Sequence, residues 1–163
     1  MAQPDGSGGA IPGDRDADRH WLAAAIDLSG RCRPSQSAFS VGAVVVAPSG
    51  QVIATGYSRE TDPKDHAEEV ALRRATGAGL TDLAAATLYS SLEPCLRRAS
   101  LRESCAGLIA SAGLRRVVIA WREPPVFVPG GGAEWLAARG ITVIELPELA
   151  AEARAVNQHL LSR

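Results

Sequence analysis

Residues 87–112 have the sequence TLYSSLEPCLRRASLRESCAGLIASA, and this stretch decides the fold because a strand pattern passes through a two-cysteine loop into a helix pattern. The run from Thr87 to Ser91 predicts a strand, and residues from about Ser104 to Ala112 predict a helix. Downstream we expect a strand over Val117–Trp121, a helix over Ala133–Arg139, a strand over Ile141–Glu145 and a last helix from about Glu148. This alternation favours βα units on a partly parallel sheet with helices on both faces.

Three further elements precede this stretch. We expect a helix from about Asp14 to Gly30, a hairpin formed by residues 41–47 and 51–57, and a helix from His66 to about Thr76. The turn of the hairpin is supplied by Pro48-Ser49-Gly50. The sequence therefore predicts an α/β fold, a three-layer α/β/α domain with a five-stranded mixed sheet and about five helices.

Length and composition bound the domain organisation. A chain of 163 residues fits one domain, which we place at residues 14–163. Residues 1–13 are rich in glycine and proline and poor in large apolar side chains, so we expect them to be disordered.

Charge and hydropathy exclude several classes of partner. The chain carries 17 basic and 18 acidic residues, so it lacks the basic surplus of proteins that hold long nucleic acid through phosphates. No apolar run approaches the ~20 residues of a membrane helix, and the first residues do not resemble a signal peptide. We therefore expect a cytoplasmic protein that binds neither long nucleic acid nor a membrane.

Four residues form a pattern with metal chemistry. His66, Cys95 and Cys105 offer one imidazole and two thiolates, which would fill three corners of a zinc tetrahedron and leave the fourth open, as in catalytic zinc sites. Glu68 is then free to move protons. An isolated H-x-E is more often a pair of solvated polar residues, but its combination with Pro94-Cys95 after a strand is a specific signal. The third cysteine, Cys32, we interpret as a partly buried small residue.

The H-x-E and P-C pattern is the general signature of zinc deaminases, and from Arg19 to Leu161 the chain resembles the cytidine deaminase-like superfamily. Ser91-Leu92-Glu93-Pro94-Cys95, followed after nine residues by Cys105, looks most like the diaminopyrimidine deaminase domain of riboflavin biosynthesis. The resemblance implies the cytidine deaminase-like fold, Zn²⁺ held by His66, Cys95 and Cys105, Glu68 as proton shuttle, and a homodimer or homotetramer.

The resemblance also implies the reaction. Water activated by zinc would attack a ring carbon bearing an exocyclic amine, Glu68 would protonate the ring nitrogen and the departing amine, and ammonia would leave a carbonyl behind. The expected substrate is a small aminopyrimidine, and the alternative is a cytidine, deoxycytidylate or related nucleoside compound. A nucleic-acid base editor is disfavoured by the charge balance. An inactive, zinc-stabilised binding module is an alternative of another class, although the sequence offers no fourth ligand to close a structural site.

Candidate substrate contacts surround the motif and depart from the riboflavin pattern. The segment between the cysteines has no histidine or glycine, and Phe39-Ser40 before Val41-Gly42 looks like free cytidine deaminases. The candidates are Phe39, Ser40 and Ala67 near the ring, Arg97, Arg98 and Arg102 near a substrate phosphate, and Trp121 as a wall of the pocket. The alternatives are a solvated basic loop for the arginines and core packing for Phe39 and Trp121. We interpret Pro129–Gly132 as a turn.

Overall fold

The structure, a computed structural model of the chain, describes residues 10–80, 82–98 and 102–162. Residues 1–9 of the predicted disordered segment, and residues 99–101 between the two cysteines, lie outside the described part. The helices are α1 (Arg15–Ser29), α2 (Ala67–Gly77), α3 (Cys105–Ser111), α4 (Gly132–Ala137), a 3₁₀ turn (Pro147–Leu149), α5 (Ala150–Val156) and α6 (Gln158–Leu161). The strands are β1 (Gly42–Val46), β2 (Val52–Tyr57), β3 (Thr87–Ser90), β4 (Arg116–Ile119) and β5 (Thr142–Glu145).

The five strands form one sheet in the order β2-β1-β3-β4-β5. Strand β1 runs antiparallel to both of its neighbours, whereas β3, β4 and β5 are mutually parallel. The predicted hairpin and the predicted βα units are therefore both present, and the mixed sheet is confirmed. All five residues of β1 are buried, which agrees with its uninterrupted apolar sequence.

Two glycines show how closely the helices cover the sheet. A Cβ on Gly42 would lie 1.9 Å from Ala25 O of α1, and a Cβ on Gly56 would lie 2.5 Å from Ala67 O of α2. Gly56 pairs with Ala43, the residue next to Gly42, so the two glycines face opposite sides of the sheet. Helices α1 and α2 therefore pack on opposite faces, which confirms the three-layer arrangement.

The last predicted helix is divided, so the described residues contain six α-helices where about five were expected. Pro147, which has no backbone N–H to donate, opens a 3₁₀ turn, and α5 ends at Asn157. The Asn157 side chain accepts a hydrogen bond from Ser40 N at 2.7 Å and donates one to Ser40 O at 3.0 Å. This pairing ties the C-terminal helices to the segment that enters β1. No helix in the described ranges has both the length and the apolar character needed to cross a bilayer.

Candidate metal and catalytic site

The three predicted metal ligands come from three different elements that end at one place. His66 is the N-cap residue of α2, Cys105 is the first residue of α3, and Cys95 lies in the loop after β3. The predicted helix had included His66, but its backbone is extended, with φ −97° and ψ 153°. The loop is fixed to α3 because Ala106 N donates to Cys95 O at 3.0 Å.

The distances within this cluster fit a zinc ion. His66 Nδ1 lies 3.5 Å from Cys95 Sγ and 3.5 Å from Cys105 Sγ, and the three ligand atoms all lie within 4.8 Å of one another. Zinc bonds of ~2.3 Å to sulfur and ~2.0 Å to nitrogen, at a tetrahedral angle, place sulfur and nitrogen ~3.5 Å apart. The cluster therefore has the spacing of a metal site without rearrangement.

The ionisation of the two thiols also suits a divalent cation. A hydrogen bond from Cys105 and the proximity of His66 lower the pKa of Cys95, whereas the hydrogen bond to Cys95 and complete burial raise the pKa of Cys105 well above its usual value. One of the two thiols therefore loses its proton easily, and the loss of the second proton is disfavoured. A cation between the sulfurs removes that resistance, because metal binding stabilises both thiolates.

Glu68 lies beside the cluster on α2 and is 3% exposed. Its Oε1 accepts a hydrogen bond from Ser90 Oγ of β3 at 2.7 Å, and the same hydroxyl lies 2.8 Å from Leu92 O. Burial and the negative charge on Cys95 raise the pKa of Glu68. A carboxyl with a raised pKa, held next to a metal cluster, is suited to accepting and returning a proton near neutral pH.

A second carboxylate, Glu69, fixes the start of α2. Glu69 Oε1 accepts a hydrogen bond from His66 N at 3.3 Å, which completes a capping box. Although burial acts to raise it, the hydrogen bond from Arg98 holds the pKa of Glu69 below its ordinary value. The H-x-x-E spacing was a signal for this role that the sequence analysis missed.

Of the arginines predicted to bind a substrate phosphate, Arg98 and Arg102 instead bind the Glu69 carboxylate. The Arg98 side chain is 1% exposed and donates to both oxygens of Glu69 at 3.3 Å, to Lys64 O at 2.7 Å and to Glu103 O at 3.2 Å. Arg102 pairs with Glu69 at 3.1 Å and with Asp65 at 3.3 Å. These contacts link the residues before His66 to those before Cys105, and so brace the metal ligands from both sides.

A cavity of about 1080 Å³ opens over His66, Glu68 and Cys95. Its lining includes five of the predicted substrate contacts, Phe39, Ala67, Arg97, Arg98 and Arg102. The other two predicted contacts, Ser40 and Trp121, are not among the lining residues. Ser40 is buried against Asn157, and the Trp121 ring packs against the Phe39 ring with 5.9 Å between centroids. Cys32 is half-buried, donates to Val41 O and stands outside the metal cluster.

The loop after β4 forms the opposite side of this cavity through Glu123 and Phe127. Glu93 holds the loop in place, because its carboxylate accepts hydrogen bonds from Glu123 N at 3.0 Å and Ala133 N at 2.9 Å. The predicted glycine-rich turn makes this contact possible, since a Cβ on Gly132 would lie 1.9 Å from Pro94 O. Sequence reasoning assigned no role of their own to Glu93 and Glu123, because the contact between them joins residues that are distant in the chain.

Comparisons with known proteins agree with this geometry. The chain is 40% identical over 126 residues to a diaminohydroxyphosphoribosylamino-pyrimidine deaminase of Schizosaccharomyces pombe, a match covering 77% of this chain and 31% of the relative. It is 34% identical over 148 residues to the riboflavin biosynthesis protein RibD of Aquifex aeolicus, covering 88% of this chain and 38% of the relative. The chain thus spans about a third of the length of these curated relatives.

The fold is also found in solved structures. A diaminohydroxyphosphoribosylaminopyrimidine deaminase/5-amino-6-(5-phosphoribosylamino)uracil reductase from Thermotoga maritima superposes with a TM-score of 0.75 at 32% identity, over 89% of this chain and 40% of that one. The family model for the cytidine and deoxycytidylate deaminase zinc-binding region matches residues 15–121, which include the three ligands and Glu68. That match covers well over half of the chain, and the chain therefore belongs to the cytidine and deoxycytidylate deaminase family, a class of zinc-dependent hydrolases.

Proposed function

We propose that this protein deaminates a phosphorylated diaminopyrimidine, the class of compound named for its S. pombe and T. maritima relatives. The observation that carries the proposal is the buried Glu68 carboxyl beside the His66, Cys95 and Cys105 cluster, at the base of a cavity of about 1080 Å³. That volume lies just above the range of ordinary small-molecule sites, ~300–1,000 Å³. The cavity therefore has room for a ring with a ribosyl phosphate.

Metal binding and proton transfer are carried out by different residues of the site. His66, Cys95 and Cys105 would hold zinc, which when bound would supply the Lewis acidity that makes water nucleophilic near neutral pH. Glu68 takes a proton from that water and delivers it to the ring nitrogen beside the reacting carbon. After the elements of water have added to the carbon, Glu68 carries the proton of the new hydroxyl to the exocyclic amine, which leaves as ammonia while the C–O bond becomes a carbonyl. The hydrogen bond from Ser90 holds Glu68 in position for both transfers.

The substrate is held by residues on the rim. Phe39 lines the cavity, and its T-shaped contacts with Trp121 and with Phe127, at 5.9 Å and 5.1 Å between centroids, hold its ring in place. Ala67 leaves space beside the metal cluster. Arg97 is exposed on the rim and is our candidate for the phosphate, while Arg98 and Arg102 act mainly through Glu69. Ser40 contributes by fixing the backbone next to Phe39.

A cytidine-type substrate is the second candidate. The family whose model matches is named for cytidine and deoxycytidylate, and Phe39-Ser40-Val41-Gly42 resembles free cytidine deaminases. Such compounds carry the reacting amine on a carbon next to a ring nitrogen, so the same Glu68 chemistry applies. Substrate turnover decides between the two classes.

The deciding experiment is a screen for ammonia release from the zinc-loaded protein. The phosphorylated diaminopyrimidine, cytosine, cytidine, deoxycytidine monophosphate and guanine are offered, with Glu68→Ala as the blank. We expect the diaminopyrimidine to be turned over fastest and Glu68→Ala to reduce ammonia release by ~10²–10⁴-fold while zinc content is unchanged. Glu152→Gln, on the exposed side of α5, is the matched control. Equal turnover by Glu68→Ala and wild type would refute the mechanism, and silence on every compound would favour a binding module.

We also propose that the protein works as a homodimer or homotetramer in the cytoplasm, as a biosynthetic enzyme like its curated relatives. Large apolar side chains remain exposed on the described surface, among them Val52 on the edge strand β2 and Val126 and Phe127 on the loop after β4. Such side chains are candidates for subunit contacts. Light scattering at several protein concentrations measures the assembly, and a monomer at all concentrations contradicts it.

A further inference from the structure

Arg59, in the loop between β2 and α2, has a backbone conformation that few residues with a side chain adopt. Its φ is 61°, and among the described residues it is the only one other than glycine with a positive φ. A side chain at such a φ strains the backbone, whereas glycine adopts it at little cost. Strain of this kind is concentrated at functional sites, where the surrounding structure maintains it. It therefore indicates that the Arg59 side chain makes contacts that a glycine could not supply.

The Arg59 guanidinium binds one stretch of the chain, residues 33–41, which we call the entry segment because it leads into β1. The guanidinium donates to Arg33 O at 2.8 Å, to Phe39 O at 3.2 Å and to Ser40 Oγ at 2.8 Å. All three acceptors are uncharged, and partial burial lowers the pKa of Arg59. Because the donors of a guanidinium are arranged as a fork, this one side chain holds both ends of the entry segment.

The entry segment forms part of the cavity but lies outside the sheet. It joins α1 to β1 and contains neither helix nor strand. The cavity is lined by four of its residues, Ser37, Ala38, Phe39 and Val41. Backbone carbonyls outside regular structure need donors from elsewhere in the protein, and Arg59 supplies the donor for Phe39 O. On the other side, Asn157 pairs with the backbone of Ser40. The position of Phe39 therefore depends on side chains that reach it from distant parts of the chain.

The backbone of Arg59 joins this contact to the metal cluster. Arg59 N donates to Asp65 O at 2.9 Å, and Asp65 directly precedes the ligand His66. Asp65 is itself fixed, because it is 2% exposed and its carboxylate pairs with Arg102 at 3.3 Å. A single residue therefore links the entry segment on one side of the cavity to the start of α2 on the other. Loss of its side-chain contacts would free the entry segment to move relative to the cluster.

We propose that Arg59 is a positioning residue, which holds Phe39 and the rest of the entry segment at a fixed distance from the metal cluster and thereby supports substrate binding. This inference rests on the proposed deaminase function and adds a residue on which the reaction depends from outside the reacting atoms. Within the described part of the chain, the hydrogen bonds of Arg59 go to the entry segment and to Asp65, and none goes to Glu68 or to a metal ligand. Its loss should therefore weaken binding and leave proton transfer intact, which raises KM and preserves kcat.

Two substitutions separate the contacts of Arg59 from its backbone strain. Arg59→Gly and Arg59→Met both remove the guanidinium, but only Arg59→Gly also relieves the strain. In the zinc-loaded protein with the phosphorylated diaminopyrimidine as substrate, we expect both variants to raise KM ~10- to 100-fold, the range for losing hydrogen bonds from a charged group, and to change kcat by less than about threefold. Arg59→Gly should nevertheless unfold at a higher temperature than Arg59→Met. Arg59→Lys keeps a charged donor without the fork, and it should recover part of the lost affinity.

Arg139→Met is the matched control, because Arg139 is exposed and stacks on the Trp135 ring away from the cavity, and it should keep the wild-type KM. A purely structural role for Arg59 predicts a different pattern, in which KM follows the loss of stability and rises much more in Arg59→Met than in Arg59→Gly. That pattern, an unchanged KM in both variants, or a loss of zinc from them overturns the positioning role.

Hydrogen–deuterium exchange measures the position of the entry segment without turnover. Arg59→Met adds no backbone freedom, so it is the variant to use, and we expect the amides of residues 33–41 to exchange ~10-fold faster or more while those of β1 are unchanged. Faster exchange in a protein that releases no ammonia from any compound keeps the role of Arg59 in holding the segment and refutes the proposed function. Turnover of the diaminopyrimidine with unchanged exchange and unchanged KM keeps the function and refutes the role of Arg59.

Discussion

The two sides of the cavity are built differently. The ligand wall, lined by His66, Glu68 and Cys95 and backed by Glu69 and Cys105, is closed by hydrogen bonds and ion pairs, and among its described residues Arg98 Nε is the one buried side-chain atom without a partner. The loop wall, formed by Glu123, Phe127 and Val128 after β4, contains the unpartnered Glu123 Oε2 and exposes 38% of Phe127, and Trp121 Nε1 behind this wall is also unpartnered.

This difference corresponds to two tasks of the site, which are holding a metal ion and recognising a substrate. A metal site gains affinity when its ligands are already held at the right spacing, because less order must be imposed on binding. A substrate pocket gains specificity when its polar groups are satisfied only by the right ligand. The ligand wall is therefore suited to a permanently bound metal ion, and the loop wall is suited to a substrate that binds and leaves.

Among the tests of this difference between the two walls, removal of a metal ligand should have the largest effect. Cys105→Ser replaces a fully buried thiol at the start of α3 with a hydroxyl, which is a poor zinc ligand, so we expect zinc content to fall below one tenth and ammonia release to be lost. Cys32→Ser is the matched control, since Cys32 stands outside the cluster. Metal analysis after gel filtration measures both variants. Full zinc in Cys105→Ser, or loss of zinc in Cys32→Ser, would show that the ligand set is wrong.

A smaller effect is expected from the brace behind the ligands. Arg98→Met removes the fork that joins Glu69, Lys64 and Glu103, so the three ligands should be held less firmly. We expect zinc to transfer to a chromophoric chelator ~10- to 100-fold more readily, the range found when groups that orient metal ligands are removed. Arg97→Met, on the adjacent exposed residue, should leave zinc transfer unchanged. Similar chelator curves for the two variants would show that the ligand wall does not depend on this brace.

Sequence reasoning predicted the ligand wall much better than the loop wall. His66, Glu68, Cys95 and Cys105 can be found because metal chemistry restricts which residue types can serve, and because each lies at a helix start or strand end that local periodicity marks. The sheet was predictable for a similar reason. Its turn glycines and alternating elements are local signals.

The remaining contacts depend on which distant segments meet. Whether Arg98 faces a substrate phosphate or a carboxylate depends on the placement of Glu69, 29 positions away in the chain. Glu123 lies at the cavity only because Glu93 holds the loop after β4 against the Cys95 segment. The division of the last helix follows from Asn157, whose amide pairs with Ser40 at the other end of the chain. None of these pairings leaves a periodic pattern in the sequence.

The smallest expected effect is on the pH dependence of folding stability, to which the ligand wall and the loop wall should contribute with opposite sign. The folded-state pKa of Glu69 is lowered, so its stabilising contribution is present above the unfolded pKa near 4.5 and is lost as pH falls through the folded pKa. The folded-state pKa of Glu123 is raised to about 8, so its contribution is present at acid pH and is lost as pH rises through 8. Acid should therefore weaken the ligand wall, and alkali the loop wall.

Thermal unfolding of two isosteric variants resolves these contributions. Glu69→Gln should lower the unfolding midpoint at pH 7 by roughly 2–4 °C, because a partly exposed ion pair is worth about 1 kcal/mol and each kcal/mol is worth ~2–4 °C at this size. The deficit should shrink as pH falls below 4.5 and through the lowered folded-state pKa, because wild-type Glu69 then becomes protonated. Glu123→Gln should match wild type near pH 4 and exceed its midpoint increasingly up to about pH 8, because wild-type Glu123 loses its stabilising contribution between the unfolded pKa near 4.5 and the folded pKa of about 8. Parallel pH profiles for wild type and both variants would mean that neither carboxyl is held as its surroundings imply, and that the contrast between the walls does not extend to their ionisation.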